Sequence, residues 1–191
     1  MKYNVDLHHR RSIRRNEYDY SLAGAYVVTT CINNRECLLG ETRYNKVYLS
    51  NMGNIVKRAW IKIPEHFKDV RLDRFVIMPN HMHGIIVIQR KPSKDIDVLP
   101  SKVNSNSKRR ARDLGQIVAY FKYQSTKLVN DLRKTPGSPL WQRNYYEHII
   151  HDKEEMIKYH KYIQENPANW DNDKENPINV KAKATENILS R

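Results

Sequence analysis

The chain has 191 residues, 39% hydrophobic and 29% charged, with 34 Lys and Arg against 21 Asp and Glu and a net charge of +13. That is enough apolar material for one domain with a real core, and no stretch approaches the roughly 18 consecutive apolar residues of a membrane span. Two cysteines, Cys31 and Cys37, are too few for a disulfide framework or a four-thiolate zinc site, and a charge this far from zero calls for an anionic partner, nucleic acid first.

Residues 1–20 read as a basic N-terminal arm, with Arg10, Arg11, Arg14 and Arg15 inside six positions and no apolar signal stretch. A soluble, cytoplasmic protein is the expectation. Residues 23–32 are rich in β-branched side chains and predict a strand, and a short strand is expected at residues 47–49. Asn51 is the expected cap of a helix to about Phe67, because Ile55, Val56, Ala59, Trp60 and Ile63 recur at helical spacing. Residues 70–78 and 81–89 predict two adjacent antiparallel strands, interrupted by Pro79 and Asn80. Residues 90–113 read as a linker with two prolines, four serines and eight Lys or Arg, among them Lys108, Arg109, Arg110 and Arg112. A second helix is predicted over residues 114–132, with Ile117, Val118, Phe121, Leu128 and Leu132 inward. A Pro/Gly turn and the segment 140–150 follow. A third helix starts at Asp152 and stops at Pro167. The tail, residues 171–191, is polar and expected to be loose. This order predicts an α+β fold: one domain over residues 21–170, built as an antiparallel sheet covered by helices.

His81-Met82-His83 is the sharpest chemical signal. Alternate residues of a strand share a face, so the two imidazoles can lean toward one ion while Met82 points into the core. Taken alone, such a pair is a weak motif, since two surface histidines need no ligand. The bland reading of the cysteines is two small semi-buried residues.

The flanking residues carry more. Met78-Pro79-Asn80-His81-Met82-His83 resembles the His-hydrophobic-His motif of single-tyrosine transposases. Trp141-Gln142-Arg143-Asn144-Tyr145-Tyr146-Glu147-His148 and Tyr162-Ile163-Gln164-Glu165-Asn166-Pro167 resemble the paired signatures of one branch, the REP-associated tyrosine transposases. Arg10-Arg11-Ser12-Ile13-Arg14 with Tyr18-Asp19-Tyr20 is similar to the N-terminal arm of that group. The likeness spans roughly residues 10 to 170. It implies a ferredoxin-like antiparallel sheet with helices on one side, the fold of the HUH endonucleases. It also implies cleavage of single-stranded DNA beside a hairpin, through a 5′-phosphotyrosine and a free 3′-OH. Carried over residue by residue, it makes His81, His83 and Asn166 the metal ligands and Tyr162 the nucleophile.

The chemistry is coherent. Tyr162 and Asn166 are i and i+4 on one helix face. Two imidazoles and an amide leave a divalent ion its full charge to polarise a phosphodiester, whereas a carboxylate ligand would weaken that effect. Mg²⁺ or Mn²⁺ suits an open site that takes phosphate oxygens. A phenol with an ordinary pKa of about 10 needs activation, and it also leaves well enough to permit rejoining. By spacing alone Tyr120 with Gln124 is an equal rival, and the signature favours Tyr162. Glu147 and His148 are candidates for acid–base roles. Lys122, Lys127, Arg133 and Lys134, with the arm and the linker, would track phosphates. The reading is a metal-dependent strand transferase on single-stranded or hairpin DNA, monomer or homodimer, with no membrane partner. The alternatives are a structured-DNA binder without cleavage and a histidine-triad-like nucleotide hydrolase.

Overall fold

The structure is a computed structural model that describes residues 23–89 and 113–179. The basic arm with Arg10, Arg11, Arg14 and Arg15, the linker with Lys108, Arg109, Arg110 and Arg112, and residues 180–191 lie outside the described residues.

Strands β1 (Gly24–Cys31), β4 (Val70–Ile77), β5 (His81–Ile88) and β6 (Tyr146–Ile150) form one antiparallel sheet in the order β4-β5-β1-β6. Taken as the four strands of a β-α-β-β-α-β chain, this is the ferredoxin-like arrangement expected. A separate hairpin, β2 (Gly40–Arg43) with β3 (Lys46–Leu49), precedes helix α1 (Asn51–Ile61). Of this hairpin the sequence pattern reveals only the second strand. The cap of α1 is Ser50, one residue earlier than expected, and its Oγ accepts from the Gly53 amide at 3.1 Å. The helix stops at Ile61, and Pro64 opens a separate turn, α2 (Ile63–His66).

Helix α1 and helix α3 (Leu114–Arg133) cover one sheet face. Met82, Ile86, Tyr26 and Val28 point into this layer and meet Val56, Trp60, Ile117, Val118 and Phe121. Trp60 lies so close to β5 that a Cβ on Gly84 would collide with its ring. Along α3 the buried stripe is Leu114, Ile117, Val118, Phe121, Ser125 and Val129. Leu128 and Leu132, expected inside, are 45% and 50% exposed. Past Phe121 the buried positions advance by fours, through Ser125 to Val129 with Asn130 beside it, so the stripe turns around the helix and away from Leu128 and Leu132.

Helix α4 (Lys153–Glu165) packs on the opposite face, which corrects the expectation of helices on one side. Its hold is small: Ile163 joins Val27, Ile85 and Ile150, with Met156 and Tyr159 at the margin. A 3₁₀ turn, Asn166–Asn172, follows. The expected looseness of the tail is also corrected as far as residue 179. Asn176 is buried and its amide donates to the Trp170 carbonyl, and Glu175 pairs with Arg35 at 2.8 Å. Polar side chains hold this segment, so hydrophobic periodicity gives no sign of it.

Candidate active site

Strand alternation places His81, His83 and Ile85 of β5 on the α4 face, beside Cys31, Thr29 and Val27 of β1 in register. Ile85 is fully buried, so the third alternating position that a histidine-triad site needs is filled by core. His81 and His83 are 0% and 4% exposed, and their Nε2 atoms are 3.1 Å apart. Two imidazole nitrogens on a single ion, each at about 2.1 Å, lie roughly 3.0–3.4 Å apart. The pair therefore converges as a ligand pair does.

The other ring nitrogens fix the rings. Asn80 donates both amide hydrogens, to the carbonyls of Arg35 at 3.1 Å and Glu175 at 2.7 Å. Its Oδ1 is left to accept from Nδ1 of His81 at 2.9 Å, which leaves Nε2 of His81 as the lone-pair nitrogen. Nδ1 of His83 bonds Oγ1 of Thr29 at 2.7 Å. Burial holds the imidazole of His81 down to about 4, and burial with His81 beside it holds His83 well below the usual histidine range. Both are neutral at neutral pH, the form that binds metal.

Helix α4 brings the hydroxyl of Tyr162 to 3.1 Å from Nε2 of His83. The phenol's pKa is raised, first by burial and then by the carboxylate of Asp173, while a hydrogen bond with Asn166 opposes the rise. Asn166, one turn on, is buried, and its Oδ1 is an acceptor with no hydrogen-bond partner among the described residues. Tyr120 lies elsewhere. It stacks on His66 at 4.1 Å on the α1 and α3 side, so the sheet separates it from the histidine pair. Spacing made the two tyrosines equal, and the sheet distinguishes them.

Asp173, which the sequence pattern assigns to the polar tail, joins the site. Its Oδ2 is 3.7 Å from Nε2 of His81, and His81, His83 and Asp173 offer ligand atoms within 4.8 Å of one another. Beside the all-neutral donor set expected from the sequence the structure thus adds a carboxylate. These residues fit a divalent cation on two counts, the donor chemistry of the cluster and the orphaned acceptor of Asn166.

The remaining candidates are dispersed. Lys122 donates to the carbonyls of Gln142 at 2.5 Å and Asn144 at 3.2 Å, and burial lowers its pKa to about 8. Its ammonium is engaged with a turn instead of facing solvent. Lys127 lines a cavity beside that turn. His148 pairs with Glu155 at 2.5 Å, two register positions along β6 from the row of His83, and Glu147 alternates to the other face. Among the described residues no helix is long and apolar enough to cross a membrane.

No family model matches the chain. An uncharacterized protein of Haemophilus influenzae is 41% identical over 174 residues, covering 90% of this chain and 96% of that protein. A "Putative REP-associated tyrosine transposase" of the same organism is 25% identical over 160 residues, covering 78% of this chain and 73% of its own. The solved structure of a REP-associated tyrosine transposase bound to a REP hairpin superposes with a TM-score of 0.54 at 21% identity, covering 82% of this chain and 73% of that one. The chain belongs to one family with the uncharacterized Haemophilus influenzae protein, and its fold is that of the REP-associated tyrosine transposases that its motifs resemble.

Proposed function

We propose that this chain cuts and rejoins single-stranded DNA next to a hairpin, as a metal-dependent strand transferase in which Tyr162 is the nucleophile. The observation that carries the reading is the approach of the Tyr162 hydroxyl to 3.1 Å from a buried, neutral His83. The fold and the relative named as a transposase support the DNA partner, as does the charge of +13.

In the proposed step the oxygen of Tyr162 attacks a phosphodiester phosphorus. The bond from phosphorus to the 3′ oxygen breaks: the upstream fragment leaves with a free 3′-OH, its oxygen taking up a proton in exchange for the one the phenol gives up, and the downstream fragment stays joined to Tyr162 through its 5′ phosphate. The phenolic proton has His83 as its nearest acceptor, but a raised phenol facing a depressed imidazole makes that transfer unfavourable in the protein alone. A divalent cation such as Mg²⁺ or Mn²⁺, held by His81, His83 and the carboxylate of Asp173 with Asn166 as a further donor, would supply the missing charge at the phosphate and the phenol. Thr29 and Asn80 hold the two rings in register for it. The 5′-phosphotyrosine keeps a good leaving group, so attack by a 3′-OH restores the DNA without an external energy source.

The test is incubation with labelled single-stranded hairpin oligonucleotides and Mn²⁺, followed by denaturing electrophoresis and peptide mapping. We expect an SDS-resistant adduct on Tyr162 that is lost with EDTA. An adduct on another tyrosine, or cleavage that leaves no covalent species, overturns the assignment.

A further inference from the structure

Helix α4 carries Tyr162 but has little apolar hold on the sheet. Ile163 is its one buried side chain, whereas α3 buries seven. A single buried contact leaves the roll of a helix about its own axis unset. Roll matters here, because a side-chain tip stands about 6 Å from the axis, and rolling the helix by about 10° moves that tip by about 1 Å. A misplacement of that size can slow an oriented reaction by about a hundredfold. The approach of the Tyr162 hydroxyl to His83 therefore needs a further constraint.

Strand β4 supplies one through a local irregularity. Leu72 pairs with Ile86 and Phe75 with Gly84, so Asp73 and Arg74 together stand opposite the single residue Ile85. In a regular strand two neighbours point to opposite faces. A β-bulge adds a residue and re-aims its side chain, and here both side chains reach α4. Asp73 brings Oδ1 to 3.1 Å from Nε2 of His160, a buried nitrogen with no hydrogen bond elsewhere among the described residues. Arg74 donates from Nη1 to Oε1 of Gln164 at 2.7 Å. His160 and Gln164 are one turn apart on one side of the helix, with Ile163 beside them. The bulge thus grips the turn that bears Tyr162. The opposite edge of the sheet grips the start of the helix: His148 of β6 meets Glu155 at 2.5 Å, and Oε2 of Glu155 accepts from the His151 amide at 2.8 Å. From Glu155 to Gln164 the helix rises about 13.5 Å. The three spacings between the edge strands β6 and β4 come to about 14 Å. Helix α4 therefore spans the sheet from edge to edge, with a polar anchor at each end.

We propose that Asp73 and Arg74, the bulge residues of β4, are positioning residues for the nucleophile, setting the roll of α4 so that the Tyr162 hydroxyl meets the histidine pair. They act through His160 and Gln164, not through the DNA or the ion. The inference rests on the reading of Tyr162 as nucleophile given above and adds what aims it.

The experiment uses the full chain with Mn²⁺ and a labelled single-stranded hairpin. In the double variant Asp73→Ala with Arg74→Ala, single-turnover adduct formation at saturating DNA should slow by about a hundredfold. Affinity for the hairpin and for Mn²⁺ should stay within about twofold of wild type, which separates aiming from binding. Asp73→Asn keeps an oxygen that can accept from His160, so its rate should return to within about threefold of wild type. Gln164→Ala should match Arg74→Ala, and combining the two should cost little more than either alone. Amide hydrogen exchange, measured without DNA, should speed up along α4 in the double alanine variant and stay unchanged in α1 and α3. An unchanged rate, unchanged exchange along α4, or a loss in Asp73→Asn equal to that in Asp73→Ala overturns the proposal and leaves the nucleophile reading standing. So does weaker DNA binding with a flatter salt dependence, which would make Arg74 a phosphate contact. A wild-type chain that forms no adduct on Tyr162 overturns both.

Discussion

The two faces of one sheet are built for different purposes. On the α1 and α3 face, large side chains close a continuous core, and Trp60 rests directly on Gly84. On the α4 face, among the described residues, only Val27, Ile85, Ile150 and Ile163 are buried together, and beside them stand two desolvated imidazoles, a half-exposed tyrosine and a carboxylate. Burying polar groups costs stability unless they are bonded, and the thick apolar layer behind β5 offsets that cost. Stability and chemistry are divided between opposite sides of the same strand, one residue apart.

Exchanging the two tyrosines is the strongest way to test this division. Tyr162→Phe should reduce adduct formation by at least about a thousandfold, since it removes the nucleophile itself, and should barely move Tm because the ring remains. Tyr120→Phe, on the core face, should leave adduct formation near wild type. A rate for Tyr120→Phe that collapses without loss of fold would break the comparison. The next largest effect lies behind the site. Trp60→Ala should cost about 3–5 kcal/mol of unfolding free energy, and Gly84→Ala about 1–3 kcal/mol through overpacking. Denaturant titration checks both, and any surviving folded protein should still form the adduct at low temperature.

Asp173 sharpens the comparison on the site side. Asp173→Asn should weaken Mn²⁺ binding by about 10–100-fold, as loss of a ligand or of its immediate support does, with cleavage partly restored at high Mn²⁺. Calorimetric titration that gives wild-type affinity would remove Asp173 from the ion's surroundings. The smallest expected effect concerns pH. Because His81 and His83 are held below their unfolded values, the folded chain binds fewer protons than the unfolded one as pH falls below about 6.5. Their neutral forms stabilise the metal-free protein above that pH, and this contribution is lost as pH falls toward the folded values. We expect Tm to drop by roughly 5 °C more between pH 7 and 4.5 in wild type than in His83→Gln. Parallel curves for the two proteins would contradict the neutral, buried pair.

Much of this division is legible in the sequence. The alternation across His81, Met82 and His83 gives both the shared face of the imidazoles and the core-facing methionine. Helical spacing gives the buried stripe of α1, and it misplaces Leu128 and Leu132 only because the stripe of α3 drifts toward Val129. Of the hairpin only β3 is foreseen, and β2 escapes because a four-residue strand with a half-exposed face leaves little pattern. Asp173 escapes for a different reason. Its meeting with His81 spans more than ninety positions of sequence, and it sits in a polar stretch where periodicity carries no information. The choice between Tyr162 and Tyr120 likewise depends on which side of the sheet a helix lies, which local spacing does not encode.

The amide of Asn80 has a thermodynamic consequence of its own. Both its hydrogens are committed to backbone carbonyls, one from Arg35 after β1 and one from Glu175 near the end of the described chain. It cannot turn over without breaking two bonds, so the tautomer of His81 is set when the chain folds and not when a ligand arrives. Ion binding then needs no ring flip and little rotamer ordering, and the affinity retains what a floppy pair would lose to reorganisation. The same wiring makes the segment around Glu175 a remote contributor to that preorganisation: loosening it would free Asn80, then His81, without touching a ligand atom.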